Sequence, residues 1–434
     1  MGAQQSALAT PPGYAIHDAE SLRAALAAVP DVARVLGGSP ADWTIEEVGD
    51  GNLNLVFIVR GPAGGTAVKQ ALPYVRLVGE SWPLPLSRAH YEHLALRRHS
   101  ALAPGLTPEI YHYDATAALI AMEYLSPHII MRHGMIAGTV YPGFAEALSG
   151  FLAATLFGTS ALALPAAACK NLVADFAGNT ALCKITEDLI FTEPYQIADN
   201  NRWTPGLDGH AAAIRGDGDL KLAVSRLKMR FMTAPEALLH GDLHTGSIMV
   251  TEDETRIIDP EFAFMGPMGF DIGAVIANLL LNYFSQIGHE AAPGARDAYR
   301  AWILRTIGAL WTGFQTKFTA AWVAGGSGDA YPAALFTTSA DRAHLARERA
   351  AYLDRVFADT LGFAAAKMIR RILGLAHNID LEWIEDERVR ATAEARALFL
   401  ARDLMVNTHA YRSIDAVTAA AARVNGLVPT LDGA

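Results

Sequence analysis

"LLHGDLHTGSIMVTEDETRIIDPEFAF", residues 238–264, sets Asp242 on a short loop between two histidines. After a polar turn and a second apolar run it then places Asp259 and Glu261 two residues apart. Residues 246–264 read as strand, loop, strand, so one carboxylate rides on a loop and two ride on a strand end. On an extended segment, positions two apart face the same side, which aims Asp259 and Glu261 at one point. Only 18% of this chain is charged, so the concentration of acids and histidines points to chemistry.

Upstream, Leu22, Leu26, Val29, Val32 and Leu36 recur at helical spacing behind a Ser21 start signal, predicting one helix over residues 17–36. "WTIEEVGDGNLNLVFIVRG" (43–61) holds two β-like runs joined by a Gly/Asp/Asn turn, and "TAVKQAL" (66–72) is a third, carrying Lys69. A small antiparallel sheet follows from these runs. "SRAHYEHLALRRHS" (87–100) reads as a helix and "ALIAMEYL" (118–125) as a late strand running into a linker near Ser126 and Pro127. Beyond it the periodic segments are Ala- and Leu-rich and helical, interrupted only by the strand-loop-strand quoted above. The expected fold class is α+β in two lobes, a sheet-bearing one over residues 1–125 and a large, mainly helical one over 126–434.

Composition narrows the function. The 434 residues are 51% hydrophobic, ample for buried cores, and the net charge of -10 argues against general affinity for nucleic acid or an anionic membrane. The N-terminus lacks a basic start and a long apolar core, so no secretory signal is expected there. Gly2 and Ser6 fit a loose myristoylation pattern without a polybasic second anchor. "FLAATLFGTSALALPAAAC" (151–169) is broken by Gly, Thr, Ser and Pro and lacks basic flanks, which favours a buried helix or helix pair over a membrane span. Cys169 and Cys183, the only cysteines, have no zinc-binding spacing; reduced thiols and a cytoplasmic setting are expected.

A sheet, a single linking strand and a helical body with a carboxylate loop make up a two-lobed phosphotransferase. Phosphoryl transfer needs metal ions, a cation on the phosphates and a carboxylate aimed at the attacking hydroxyl. Asp242 takes the last post and Asp259 the metal post. Where the kinase template has a metal-binding Asn five residues after the catalytic Asp, this chain has Ser247, and Asp-Phe-Gly is replaced by "DPE". Glu261 is thereby expected to supply the missing oxygen ligand to magnesium. Asp271 in "FDIG" is expected to brace the catalytic loop, and His240 and His244 to hold its shape by hydrogen bonds.

The stretches "DGNLNLVF" (50–57), "RLVGESWPL" (76–84), "HGDLHTGSI" (240–248), "DPEFAFMGPMGFDIG" (259–273) and "MIRRILGLAH" (368–377) resemble those of the 5-methylthioribose kinases. That family lies within the protein-kinase-like fold and is related to aminoglycoside and choline kinases. The resemblance implies ATP and magnesium as cofactors, 5-methylthioribose as substrate and a homodimeric state. It implies that Gly51, Asn52 and Asn54 belong to the nucleotide-covering loop, that Lys69 contacts the α- and β-phosphates, and that Glu123 and Tyr124 lie where the inter-lobe strand meets adenine. It also implies a sugar site containing Trp82, Arg370 and Arg371 beside Asp242. Adjacent arginines on a helix point about 100° apart, which disfavours two ordinary surface residues of one face. A kinase for an aminoglycoside, a choline-like or a homoserine-like alcohol, and a catalytically silent nucleotide-binding protein, are the competing readings.

Overall fold

The computed structural model describes residues 10–49, 53–76, 79–325 and 328–427. Its first part contains α1 (Ala19–Ala27), α2 (Pro30–Leu36), β1 (Thr44–Val48), β2 (Asn54–Arg60), β3 (Gly65–Ala71), β4 (Tyr74–Val75) and β5 (Gly79–Pro83). α3 (Arg88–Leu102), β6 (Ile110–Asp114) and β7 (Leu119–Glu123) follow. Five strands form an antiparallel sheet in the order β1-β2-β3-β7-β6, and β4 and β5 make a separate hairpin. Lys69 stands opposite Val56 on β2 and Ile120 on β7, in the middle of the sheet.

The single helix expected over residues 17–36 is two helices. Pro30 has no amide to continue a helix, and its fixed φ suits the first position of the next one. Leu22, Leu26, Val32 and Leu36 still fall into one core with Trp43, Phe57, Val59 and Val68.

The second part begins with β8 (Ile129–Ile130), α4 (Met131–Ala137), α5 (Phe144–Gly158), α6 (Ala166–Phe176), α7 (Thr180–Phe191), α8 (Asp208–Gly216) and α9 (Gly218–Thr233). The stretch over residues 151–169 is thus the buried end of α5, a turn, and the exposed to half-buried start of α6. β9 (Ala237–Leu238), β10 (Ile248–Val250), β11 (Thr255–Ile257) and β12 (Met265–Gly266) come next. The helices α10 (Gly269–Ser285), α11 (Asp297–Ala324), α12 (Ser339–Leu373), α13 (Ile379–Glu382), α14 (Glu387–Val406) and α15 (Ile414–Asn425) complete the chain. Among the described residues, Gly269–Gly288 is the helical stretch apolar and long enough to cross a membrane; it lies inside the core.

Two features of this part position the site. β9 pairs with β12, Leu238 opposite Met265, so the strand entering the Asp242 loop and the strand leaving the Asp259 segment are neighbours. α10 and α12 also meet at close range. A Cβ at Gly269 would lie 2.7 Å from the Thr360 amide nitrogen, and one at Gly273 2.6 Å from the Thr360 carbonyl oxygen. Only glycine permits that approach.

Candidate active site

The loop after β9 is held from behind. The Asp271 carboxylate on α10 accepts hydrogen bonds from the amides of His240 (2.6 Å) and Gly241 (3.0 Å), as expected of a brace. Gly241 has a φ of 84° and a Cβ there would sit 2.1 Å from the Phe262 carbonyl oxygen, so no other residue fits. His240 Nε2 lies 2.8 Å from the Ile258 carbonyl and its Nδ1 accepts from the Asp242 amide at 3.3 Å, the pattern of a neutral ring. Burial holds its pKa below the ordinary histidine value. His244 Nδ1 accepts from the Gly246 amide (3.0 Å), and burial pushes its pKa down to about 3. Both histidines therefore shape the loop. Ser247 is buried and its hydroxyl donates to the Asp242 carbonyl at 3.1 Å, so it too is committed to the loop.

In front of the loop stands a cluster of cations. Lys367 Nζ on α12 lies 2.7 Å from Asp242 Oδ1, and His244 Nε2 is 3.4 Å from Oδ2. Arg371 and Arg370, one turn further along α12, each donate to the Ala376 carbonyl (3.0 and 3.3 Å), and the Nε of each is buried without a hydrogen-bond partner. Arg132 on α4 reaches Thr245 Oγ1 (3.1 Å) and Asn278 Oδ1 (2.9 Å) and pairs with Asp380 at 3.4 Å. Burial works to raise the Asp242 pKa, but Lys367, then His244 and Arg371, outweigh it and hold the carboxyl well below the usual range. Burial and the neighbouring Arg370 weigh against the Arg371 cation, and Asp242 weighs in its favour. Guanidinium does not give up its proton in proteins. The imbalance is a demand for an anion.

A second charged cluster joins the sheet to the Asp259 segment. Lys69 forms ion pairs with Asp259 and with Glu92 of α3, the latter at 2.8 Å. Burial opposes the Lys69 charge, but Asp259, Glu261 and Glu92 together lift its pKa above the ordinary lysine value. Glu261 accepts from Asn54 Nδ2 (2.9 Å) and faces Arg88 Nε at 3.4 Å, while Arg88 is itself fixed by the carbonyls of Leu53 (3.0 Å) and Leu72 (2.7 Å). Carboxylate oxygens of Glu92, Asp259 and Glu261 lie within 4.8 Å of one another. Burial raises the pKa of both Glu92 and Glu261, the Lys69 charge notwithstanding. Three hard oxygen donors gathered this closely, whose ionised forms burial disfavours until a further cation joins Lys69 and Arg88, suit a divalent cation such as magnesium.

The segment bearing Asp259 and Glu261 departs from the extended form expected of it. Asp259 has a φ of 69°, left-handed backbone that Asp tolerates better than most residues, and a turn follows at Glu261. The two carboxylates converge through that turn and not through strand alternation.

The other expected residues are dispersed. Gly51 and Asn52 lie outside the described residues. Asn54, expected in the nucleotide loop, begins β2 with its side chain buried between Glu261 and Arg88. Glu123 ends β7 and pairs with Arg256 at 3.5 Å, and the Tyr124 hydroxyl accepts from Arg60 at 3.0 Å, so both side chains are engaged away from the two clusters. Trp82 lies on β5 among Leu53, Phe262 and Ile185. Arg370 and Arg371, by contrast, stand with Asp242. Sequence reasoning passed over Glu92, Lys367, Arg132 and Arg88. Glu92 is the sole acid in α3, and Lys367 precedes Arg370 and Arg371 by three and four positions, the spacing of one helix face. Those two signals were present; Arg132 and Arg88 had none.

A strand lysine paired with a helix glutamate and a metal-suited acid, together with a loop aspartate held by cations, defines a phosphotransferase of the kinase type. Residues 44–311 match the model of the Phosphotransferase enzyme family. Methylthioribose kinase 1 of Oryza sativa subsp. japonica is 48% identical over 409 residues, covering 93% of this chain and 94% of that protein. The methylthioribose kinase of Escherichia coli O45:K1 is 47% identical over 383 residues, 88% of this chain and 91% of that one. Among solved structures, a glucosamine kinase in complex with glucosamine, ADP and inorganic phosphate is 16% identical, covers 90% of this chain and 86% of that chain, and has a TM-score of 0.47. The chain belongs to the methylthioribose kinase family.

Proposed function

We propose that the chain transfers the γ-phosphoryl group of ATP to the anomeric hydroxyl of 5-methylthioribose, forming the 1-phosphate that feeds methionine salvage. The observation that carries this reading is the position of Asp242, an ionised loop carboxylate bordered by three α12 cations that together demand an anion. Residues 1–125 act as the nucleotide lobe and 126–434 as the catalytic lobe. Gly51, Asn52 and Asn54 belong to the loop over the phosphates, with Asn54 acting from its base. Lys69, held by Glu92, meets the α- and β-phosphates, and the backbone at Glu123 and Tyr124 meets adenine. Asp259 and Glu261 hold magnesium, which when bound neutralises charge on the phosphate oxygens. Asp242 orients the acceptor hydroxyl, Arg370 and Arg371 hold sugar or phosphoryl oxygens, and Trp82, on its own hairpin, serves the sugar. The working form is a cytoplasmic homodimer, a point that light scattering of the purified protein tests.

The deciding experiment is ADP release over a panel of 5-methylthioribose, aminoglycosides, choline and homoserine, with magnesium present or chelated. Methylthioribose alone should support turnover, and only with the metal. Asp242→Asn should bind ATP normally and lose about 100-fold or more in kcat, the usual scale for a positioned acid or base. Preference for a cationic alcohol, or a fully active Asn variant, removes the reading.

A further inference from the structure

We propose that Lys367 is a positioning residue for the transfer: its ammonium anchors one oxygen of Asp242 and leaves the other oxygen for the acceptor hydroxyl. Nζ lies 2.7 Å from Oδ1, whereas among the described residues Oδ2 has the 3.4 Å approach of His244 and no shorter polar contact. The inference rests on the reading of Asp242 given above and adds a residue to it. In the step so served, the acceptor O–H bond breaks and its proton passes to Asp242. The acceptor oxygen forms the new bond to the γ-phosphorus, and the bond from that phosphorus to the β–γ bridging oxygen breaks to leave ADP.

One turn of α10 fixes both partners of the Lys367–Asp242 contact. Phe270 lies under the ammonium, Nζ standing 4.9 Å from its ring centroid, and Asp271, the next residue, grips the amides of His240 and Gly241. Gly269 and Gly273 bracket that turn and let α12 close on it. The lysine side chain is only 4% exposed and, among the described residues, forms its one ion pair with Asp242, while Asp271 also feels its charge. A buried ion pair is often matched in stability by an apolar replacement, so a lysine held in this place answers to the reaction and not to the fold.

Charge supports the geometry. The groups facing Asp242 are Lys367, Arg370 and Arg371 from α12, Arg132 from α4, and His240 and His244 from its own loop. Lys367 is the foremost of these in keeping the carboxylate ionised against its burial. Asp242 is thereby a weak base, suited to accept the proton late, as the P–O bond forms.

The test compares kcat and kcat/KM as functions of pH for the parent, Lys367→Met, Lys367→Arg and Asp242→Asn, with ATP and methylthioribose. Lys367→Met should lower kcat by about 10- to 100-fold with the KM for ATP changed less than about twofold. It should also move the acid limb of kcat upward by about one pH unit or more, because burial then acts on Asp242 with less opposition. Lys367→Arg, keeping the charge, should hold the limb at the parental pH. A lower kcat with an unmoved limb makes Lys367 a packing residue and overturns the proposal, as does a Met variant with parental kinetics. If the Met variant does not fold, an Arg variant whose limb rises despite the retained charge overturns it. Normal turnover by Asp242→Asn would instead strike the underlying reading of the loop aspartate.

Discussion

Arg371 is among the cations that hold Asp242 ionised, and Asp242 in turn favours the Arg370 charge. The Arg371 side chain donates to a backbone carbonyl and keeps a buried Nε without a partner. A lysine there retains the charge and loses the planar fork. A charge-assisted hydrogen bond contributes about 1.5–3 kcal/mol, so Arg371→Lys should reduce kcat/KM for methylthioribose by about 10-fold or more, and Arg370→Lys by less. Steady-state kinetics of both variants with sugar varied at saturating ATP measures this; a larger effect at Arg370 reverses the assignment. At this scale the sequence announced residues whose type and spacing carry chemistry by themselves: Asp242 in its loop, Asp259 with Glu261, the arginine pair. It was silent on Arg88 and Arg132. Their roles depend on carbonyls and amides contributed by remote segments, such as Leu53, Leu72 and Asn278, and no local pattern encodes those.

Among the elements, α10 matters most, because every one of its residues is buried and it carries Asp271. Gly273→Ala puts a methyl 2.6 Å from the Thr360 carbonyl oxygen and 2.9 Å from the Ala364 amide nitrogen, backbone atoms that cannot step aside alone. The helices must part, at a cost of about 1–3 kcal/mol typical of overpacking. Thermal unfolding should show that loss, and kcat should fall with it, because α12 carries Lys367, Arg370 and Arg371 away from Asp242. A variant that melts at the parental temperature would show that the helices have slack. The β1–β3 strands and α3 were readable because alternation or helical spacing survives in short windows. β4 and β6 were not: one has two residues, and the other, Ile110–Asp114, is half-buried along its whole length without alternation. The helix broken at Pro30 shows apolar spacing continuing across a helix boundary, and the turn at Asp259 shows a backbone chosen by its surroundings.

For the molecule as a whole, the order of a sheet-bearing part and then a mainly helical part was legible because the long alternating runs lie early in the chain and the long Ala- and Leu-rich helical segments late. The burial of α10, by contrast, depends on α12 and α14 packing around it, which composition alone does not reveal. That dense interior also sets the pH response. His99, His244 and His93 are neutral in the fold, burial having pushed them down to about 3, 3 and 4. Their unfolded pKa is near 6.5. Their depressed values give stability that is full above about pH 6.5 and is shed as pH falls. Glu394 on α14 has the opposite sign. Burial lifts its pKa to about 7, and one carboxylate oxygen has no hydrogen-bond partner. Below its unfolded value of about 4.5 it is protonated in both states and costs nothing; as pH rises through 7 the unfolded chain gains by ionising and the fold loses up to about 3 kcal/mol. Glu394→Gln keeps the shape and removes the titration. Its melting temperature should therefore exceed the parent's by a few degrees at pH 8 and match it at pH 4.5. An equal gain at both pH values would mean that packing, not the buried proton, explains the change, and a loss at pH 8 would mean that Glu394 is ionised in the fold and usefully paired.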